Sequence, residues 1–220
     1  MYKMEKLKII FLVPAKNESK SIFKLVKKLK KYSKVLVIND DSSDDTELQS
    51  KSAGALLIRT KSKKSGYQNA IYVGLKYAIL KNYDFAITCD ADNQHKMKDV
   101  IRVLKECNKD VSLVYTRRKN ISRNVEKIFN FFFNLVWSIK DPLSGLKGYN
   151  LRKIKKGFFQ NNLETLSTSI LVWLKKSDFN KMKEIHIYTN KRSGKSNFST
   201  INLFFLLCLS FINNLLIKVK

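Results

Sequence analysis

The sequence predicts an α/β fold, with a mainly parallel β-sheet flanked by helices. Three observations lead there. Short runs rich in β-branched residues recur along the first half of the chain, stretches with apolar residues at 3.6-residue spacing lie between them, and polar residues gather just after the runs. The runs are "KIIFLV" (8–13), "KVLVI" (34–38), "ALLI" (55–58), "DFAITC" (84–89) and "VSLVY" (111–115), which have the length and composition of buried strands. Ile22, Leu25, Val26 and Leu29 follow the first run on one helical face; Val100, Val103, Leu104 and Cys107 follow the fourth in the same way. Strands alternating with helices are joined by crossovers, so they lie parallel and the helices cover the sheet.

In such sheets ligands bind beyond the carboxyl ends of the strands, and here those ends are unusually polar. After the first run come Pro14, Asn17 and Glu18; after the second, "NDDSSDDT" with Asp40; after the fourth, Asp90, Asp92 and Gln94; after the fifth, Arg117 and Arg118. Two aspartates one residue apart can offer two carboxylates to a hard divalent cation, and the Gln94 amide oxygen adds a further ligand. Such an ion keeps several waters and shares its other positions with phosphate oxygens, so a diphosphate is the expected partner. Taken alone, Asp-Ala-Asp also reads as a solvated turn capping the next helix. Four polar strand ends converging on one edge favour the site.

The chain carries 43 Lys and Arg against 18 Asp and Glu, a formal charge of +25, which favours phosphates or an anionic membrane surface as partners. The lysines are scattered along the whole chain, and no RNP-like, zinc-finger or helix-turn-helix pattern accompanies them, so nucleic acid is not the expected partner. Three cysteines, Cys89, Cys107 and Cys208, lie far apart in apolar stretches and read as buried or lipid-facing thiols in a reducing compartment. The opening apolar run is too short for a signal peptide and ends in Pro, Lys and Asn, which places the expected catalytic face in the cytoplasm.

These segments together resemble the glycosyltransferase family 2 enzymes of the GT-A fold, within them the polyprenyl-phosphate branch typified by dolichol-phosphate mannose synthase. The resemblance covers about residues 7 to 200 and rests on ordered motifs: "FLVPAKNESKSI", "VINDDSSDDT", "SGYQNAIYVGLKYA", "CDADNQH", "YTR", "DPLSGLKGYN" and "RSGKSNFS". It implies an inverting transfer of a sugar from a GDP- or UDP-linked donor, with Mg²⁺ or Mn²⁺ as cofactor. Asp92 would be the principal metal ligand, supported by Asp90 and Gln94. Pro14, Glu18 and Asp40 would hold the base and ribose, while Arg117 would reach the diphosphate, whose developing charge a metal and cationic donors stabilise. Ser144, Lys147, Arg192 and Lys195 would contact phosphate or acceptor. Asp40 also reads as a turn or capping residue, and Arg117 as surface charge.

The sequence departs from the family pattern in places. Lys147 stands where Arg is usual, keeping the charge without the bidentate fork. Asp41 and Asp45 replace two glycines, so their loop must take a conformation such residues tolerate. The second phosphate-binding cation is open between Arg123 and Lys127. The family often carries an acidic residue about fourteen positions before the strand that holds Glu184; that count lands on Ile170, with Glu164 nearby but out of register, so either the helix is shifted or the carboxylate is absent.

A hydroxyl acceptor needs a carboxylate base, whereas a phosphate acceptor is already ionised. Asp141 is a candidate base and equally a turn residue before Pro142. No Glu-Asp or Gly-Asp-Asp base motif is present, which favours a lipid-phosphate acceptor over a hydroxyl of a cell-surface glycan. Two apolar stretches agree. "VEKIFNFFFNLVWSIK" (125–140) is apolar on nearly every side of a helix, and "INLFFLLCLSFINNLLIKVK" (201–220) forms a second run, interrupted by Asn213 and Asn214. The second is marginal for a membrane span of roughly 20 residues and reads as an interfacial helix. The expected organisation is a catalytic domain over 1–200 and a membrane-associating tail over 201–220.

Overall fold

The computed structural model describes residues 7–60, 66–158, 165–177, 179–190 and 200–217. β1 (Ile9–Ala15) runs through the middle of the sheet and buries every side chain from Ile10 onward, so its sequence is continuously apolar rather than alternating. It pairs in parallel with β2 (Lys34–Asn39) and β4 (Phe85–Thr88), and β2 pairs in parallel with β3 (Leu56–Arg59). Each crossover carries a helix: α1 (Ser19–Leu29), α2 (Thr46–Ser52) and α3 (Tyr67–Leu80). This half of the molecule follows the sequence reading in its strands and helices, except that β3, read as a buried strand, lies at the sheet edge and is only partly covered.

The second half adds what local patterning does not mark. β6 (Lys147–Asn150) lies antiparallel between β4 and β5 (Leu113–Arg118), and β7 (Met182–Ile187) runs parallel to β5 at the edge, giving the order β3-β2-β1-β4-β6-β5-β7. Lys-Gly-Tyr-Asn has little intrinsic strand preference, and its two neighbours impose the extended form. β5 also runs further than expected, so Arg117 and Arg118 belong to the strand instead of following it.

Alternate strand residues feed two apolar layers. Phe11, Val13, Val35 and Val37 pack with Ile22, Leu25, Val26 and Leu29 of α1 and with Val100 and Val103 of α4 (Met97–Glu106). Ile10, Leu12, Leu36 and Ile38 face α3 and the helices of the second half: α5 (Asn124–Trp137), α6 (Leu151–Phe158), α7 (Leu166–Lys176) and α8 (Thr200–Leu215). Truncating one of these fully buried side chains, such as Ile22 or Leu29, would cost about 2–5 kcal/mol.

α8 shares this second layer. Leu207 is buried in it, and the Phe211 ring stacks edge-on against Trp137 at 5.1 Å. Asn214 does not interrupt the helix: its buried amide donates to Thr168 Oγ1 (3.0 Å) and the Ser210 carbonyl (2.7 Å), which satisfies its N–H₂ group and leaves the amide oxygen without a partner among the described residues. The stretch expected as a tail is therefore packed on α5 and α7. Among the described residues no helix is long and apolar enough to cross a membrane.

Candidate active site

The carboxyl ends of β1, β2 and β4 open into a cleft of about 610 Å³, lined among others by Pro14, Lys16, Glu18, Asp40, Asp90, Asp92 and Gln94. Six of the residues expected from sequence are thus brought together, from segments far apart in the chain. Hydrogen bonds between loops fix their positions. Ser42 Oγ accepts the Asn17 N–H (3.0 Å), Thr46 Oγ1 accepts the Glu18 N–H (2.7 Å), and Asp44 accepts the N–H groups of Ser19 (3.1 Å) and Thr46 (3.0 Å). The starts of α1 and α2 are stitched together, with Asp41 at φ 54° in the left-handed turn between them; Asp45 takes an ordinary φ of −71°. Only one of the two glycine replacements therefore occupies a conformation that favours glycine.

Asp40 is nearly buried. Its Oδ1 accepts the Thr60 hydroxyl (3.0 Å) and the Gly66 N–H (3.1 Å). Gly66 has φ 132°, which an L side chain rarely adopts, and this lets its N–H point at the carboxylate as α3 begins. Asp40 is thus a carboxylate at the cleft wall that also ties the end of β3 to the start of α3.

Asp90 sits in a tighter setting. His95 Nε2 lies 3.0 Å from its Oδ2, Tyr67 stands beside it in the cleft lining, and Gly145 approaches so closely that a Cβ there would fall 2.1 Å from Oδ2. Burial works against the charged carboxylate, but the His95 hydrogen bond and charge, the Tyr67 hydroxyl and the Lys147 charge outweigh it and hold the Asp90 pKa below its usual value. Tyr67 moves well above the ordinary tyrosine value, through burial first and the Asp90 charge second. Asp92 is nearly buried as well, with Oδ1 accepting the Gln94 N–H at 3.1 Å.

Four carboxylates, Glu18, Asp40, Asp90 and Asp92, line this cleft in a chain that is otherwise strongly basic. A diphosphate would be repelled there without a counter-cation. Among the described residues no group of three or more His, Cys, Asp or Glu side chains is gathered as a closed metal site. Two carboxylates and an amide at one cleft edge nevertheless fit a hard ion that takes its remaining ligands from phosphate oxygens and water.

The other expected residues are spread around this centre. Lys147, on β6, is only 2% exposed; its ammonium donates to the Ser144 carbonyl. Burial pushes it down to about 8, opposed by the charges of Asp141 and Asp90 and reinforced by Arg118. Ser144 is fully buried, its hydroxyl 2.5 Å from Thr116 Oγ1, so it stands behind the cleft wall. Arg117 is not among the cleft-lining residues; its guanidinium lies 3.8 Å from Glu184, which also accepts from the Tyr115 hydroxyl (2.9 Å) and bonds His186 (2.7 Å). Arg192, Lys195 and Glu164 lie outside the described residues.

Asp141 is a structural anchor. It is completely buried, and it accepts from Arg118 N (2.9 Å), Nε (2.8 Å) and Nη2 (2.9 Å) and from Asn130 (3.3 Å). Arg118 also pairs with Glu126 at 3.0 Å, and Arg123 lies 3.9 Å from the same carboxylate, while Lys127 turns to Asn124 (3.4 Å). Tyr67, His95 and Gly145 were not singled out from sequence. All three lie inside the motifs that carry the family resemblance, but only the fold brings them to Asp90.

Comparison with known proteins agrees with this architecture. Residues 10–171 match the family described as glycosyl transferase family 2. An uncharacterized protein of Methanocaldococcus jannaschii is 32% identical over 203 residues, covering 84% of this chain and 83% of its own. The UDP-N-acetylglucosamine–dolichyl-phosphate N-acetylglucosaminyltransferase of Methanococcus voltae is 25% identical over 201 residues, 75% of this chain and 80% of its own. Glucosyl-3-phosphoglycerate synthase of Mycobacterium tuberculosis, in complex with Mn²⁺, UDP-glucose and phosphoglyceric acid, superposes with a TM-score of 0.74 at 14% identity, covering 95% of this chain and 79% of that one. At that identity the likeness shows the fold alone, which is GT-A. With the family match spanning most of its length, the chain belongs to glycosyl transferase family 2.

Proposed function

We propose that this glycosyltransferase moves a sugar, with inversion, from a UDP- or GDP-linked donor to a polyprenyl or dolichyl phosphate at the cytoplasmic face of a membrane. The observation that carries the acceptor class is the pair of helices α5 and α8. Packed against each other, they turn Ile128, Phe131, Phe132, Leu135 and Val136 of one, and Phe204, Phe205, Leu209 and Ile212 of the other, out to solvent. An apolar face of this extent on a basic chain suits an anionic lipid surface. The capture of Asp141 by Arg118 adds a second support, because it removes the carboxylate that a hydroxyl acceptor would need as base. The Methanococcus voltae relative, named for transfer to dolichyl phosphate, points the same way.

In this reading Pro14, Glu18 and Asp40 bind the nucleoside, Asp40 as a fixed acceptor for a base N–H. Asp92, with Asp90 and Gln94, would hold Mg²⁺ or Mn²⁺, which supplies charge neutralisation at the leaving diphosphate. Lys147 keeps a positive charge beneath the cleft, close enough to influence Asp90 and Asp141. Arg117 reaches the phosphates by exchanging Glu184 for them, and Ser144 supports the wall from behind. Arg192 and Lys195 complete the phosphate or acceptor contacts. The acceptor phosphate attacks the anomeric carbon as an already ionised nucleophile.

The test is a matrix of UDP- and GDP-sugars against polyprenyl phosphate and the matching dephosphorylated polyprenol, in vesicles with Mg²⁺ or Mn²⁺. Transfer to the phosphate alone is expected. Transfer to the polyprenol, or to neither with every donor, overturns the proposal.

A further inference from the structure

Asp90 is held from several sides, and the meaning of that hold rests on the reading of Asp90, Asp92 and Gln94 as the ion-holding edge of the cleft. A carboxylate that serves an ion must hold one orientation, and the two residues that fix this one come from different walls. Tyr67 opens α3, whereas His95 precedes α4. His95 is bonded to that carboxylate at 3.0 Å through Nε2, and Tyr67 lines the cleft beside it, near enough for Tyr67 and Asp90 each to shift the other's titration. A carboxylate only accepts, so Nε2 carries the proton. The other ring nitrogen, Nδ1, is buried with no hydrogen-bond partner among the described residues, which leaves the Asp90 bond as the only polar contact found there for this imidazole. A buried histidine with one ring nitrogen unpaired is costly in a purely structural role. The backbone at Gly145 then closes on the carboxylate from a third side, where any Cβ would collide with both of its oxygens.

We propose that Tyr67 and His95 are positioning residues: they clamp the Asp90 carboxylate against Gly145, so that the Asp90–Asp92 edge meets a divalent ion and the donor diphosphate in one preset geometry. Neither residue touches the reacting atoms, and each acts through Asp90. Loss of such an orienting bond commonly weakens ion affinity about 10–100-fold.

Calorimetric titration of UDP, and of GDP where the wild type binds only that, with and without Mn²⁺, isolates this role. The quantity read is the gain in nucleotide affinity that Mn²⁺ brings. In Tyr67→Phe, which removes one oxygen and keeps the ring, the gain should fall about 10-fold while metal-free affinity stays within about 2-fold. His95→Leu should reduce it by at least as much, and His95→Gln, which keeps an N–H donor at the Nε2 position, should restore most of it. A gain unchanged in both Tyr67→Phe and His95→Leu overturns the clamp and leaves the proposed function standing. Equal losses with and without Mn²⁺ also overturn it, since they would mark direct nucleotide contacts. If the wild type shows no gain at all, the ion-holding reading fails first and the clamp fails with it.

Discussion

Replacing Asp141 by asparagine separates a structural anchor from a catalytic base. The side chain has no exposed surface, accepts three hydrogen bonds from Arg118 and takes a fourth from Asn130. The substituted amide would keep one acceptor oxygen and turn an N–H₂ toward guanidinium donors. Removing one partner of a buried ion pair costs about 3–5 kcal/mol, chiefly because the remaining charge is left uncompensated. Arg118 retains Glu126 at 3.0 Å and is partly exposed, so the lower end, about 3 kcal/mol, is expected here. For a chain of this size that corresponds to a Tm lowered by about 6–12 °C. Circular dichroism melts of wild type and Asp141→Asn measure it directly. The double variant Arg118→Met/Asp141→Leu should recover part of the loss, because neither charge is then stranded. The anchor role is refuted if Asp141→Asn melts within about 2 °C of wild type and yet abolishes transfer, for Asp141 would then be the base of a hydroxyl-directed enzyme.

Other expectations follow from the same geometry. Asp92→Asn should fold normally and lose the Mn²⁺-dependent part of donor binding, since one charge leaves the ion site while its shape remains; unchanged affinity in calorimetry would sink the assignment. Arg117→Ala should slow transfer about 10²-fold if the guanidinium neutralises the leaving diphosphate, and an equal rate would return it to its pairing with Glu184. Phe131→Glu together with Leu135→Glu, both on exposed positions of α5, should leave the Tm nearly unchanged and abolish sedimentation with anionic liposomes. Undiminished sedimentation would move the lipid contact elsewhere. Lys147 gives a pH signature: its pKa is lowered to about 8 when folded, so between about 8 and the usual lysine value the unfolded chain binds more protons and this group's contribution to stability rises with pH. Denaturant melts across that window should show the rise in wild type relative to Lys147→Met, and parallel curves would contradict it.

The parts of the fold legible in the sequence are those set by local periodicity. β1, β2 and β4, with α1 and α4 beside them, announce themselves because each must bury apolar side chains at a fixed spacing. The edge strand β3 shows only its β-branched and apolar composition, its side chains being exposed or partly exposed. β6 gives no such signal, since Lys147, Gly148, Tyr149 and Asn150 become a strand only by lying between β4 and β5. The same non-local pairing buries Lys147. For α5, composition implies an apolar helix without a facing direction; the structure turns Phe129, Phe133 and Trp137 inward and leaves Phe131, Phe132 and Leu135 outside. Asn214 reads as an interruption because its partners, Thr168 and Ser210, are distant or on the preceding turn. At the site, Asp40, Asp90, Asp92 and Gln94 are readable as strand-end polar groups. Asp141 is ambiguous until Arg118 is seen to fill its acceptors, and Tyr67, though it stands in the motif "SGYQNAIYVGLKYA", shows no link to Asp90 until the start of α3 is placed relative to β4.

The most direct measurement is the mass of the lipid product. Vesicles carrying polyprenyl phosphate are incubated with full-length protein, Mn²⁺ or Mg²⁺ and the accepted nucleotide-sugar, then extracted for mass spectrometry. A metal-assisted transfer to lipid phosphate predicts one new species, polyprenyl phosphate plus a single sugar residue, labile to mild acid, absent with chelator and absent in Asp92→Asn. Sugar attached to a hydroxyl acceptor while polyprenyl phosphate stays unmodified, or the same lipid product formed undiminished in chelator, would contradict it.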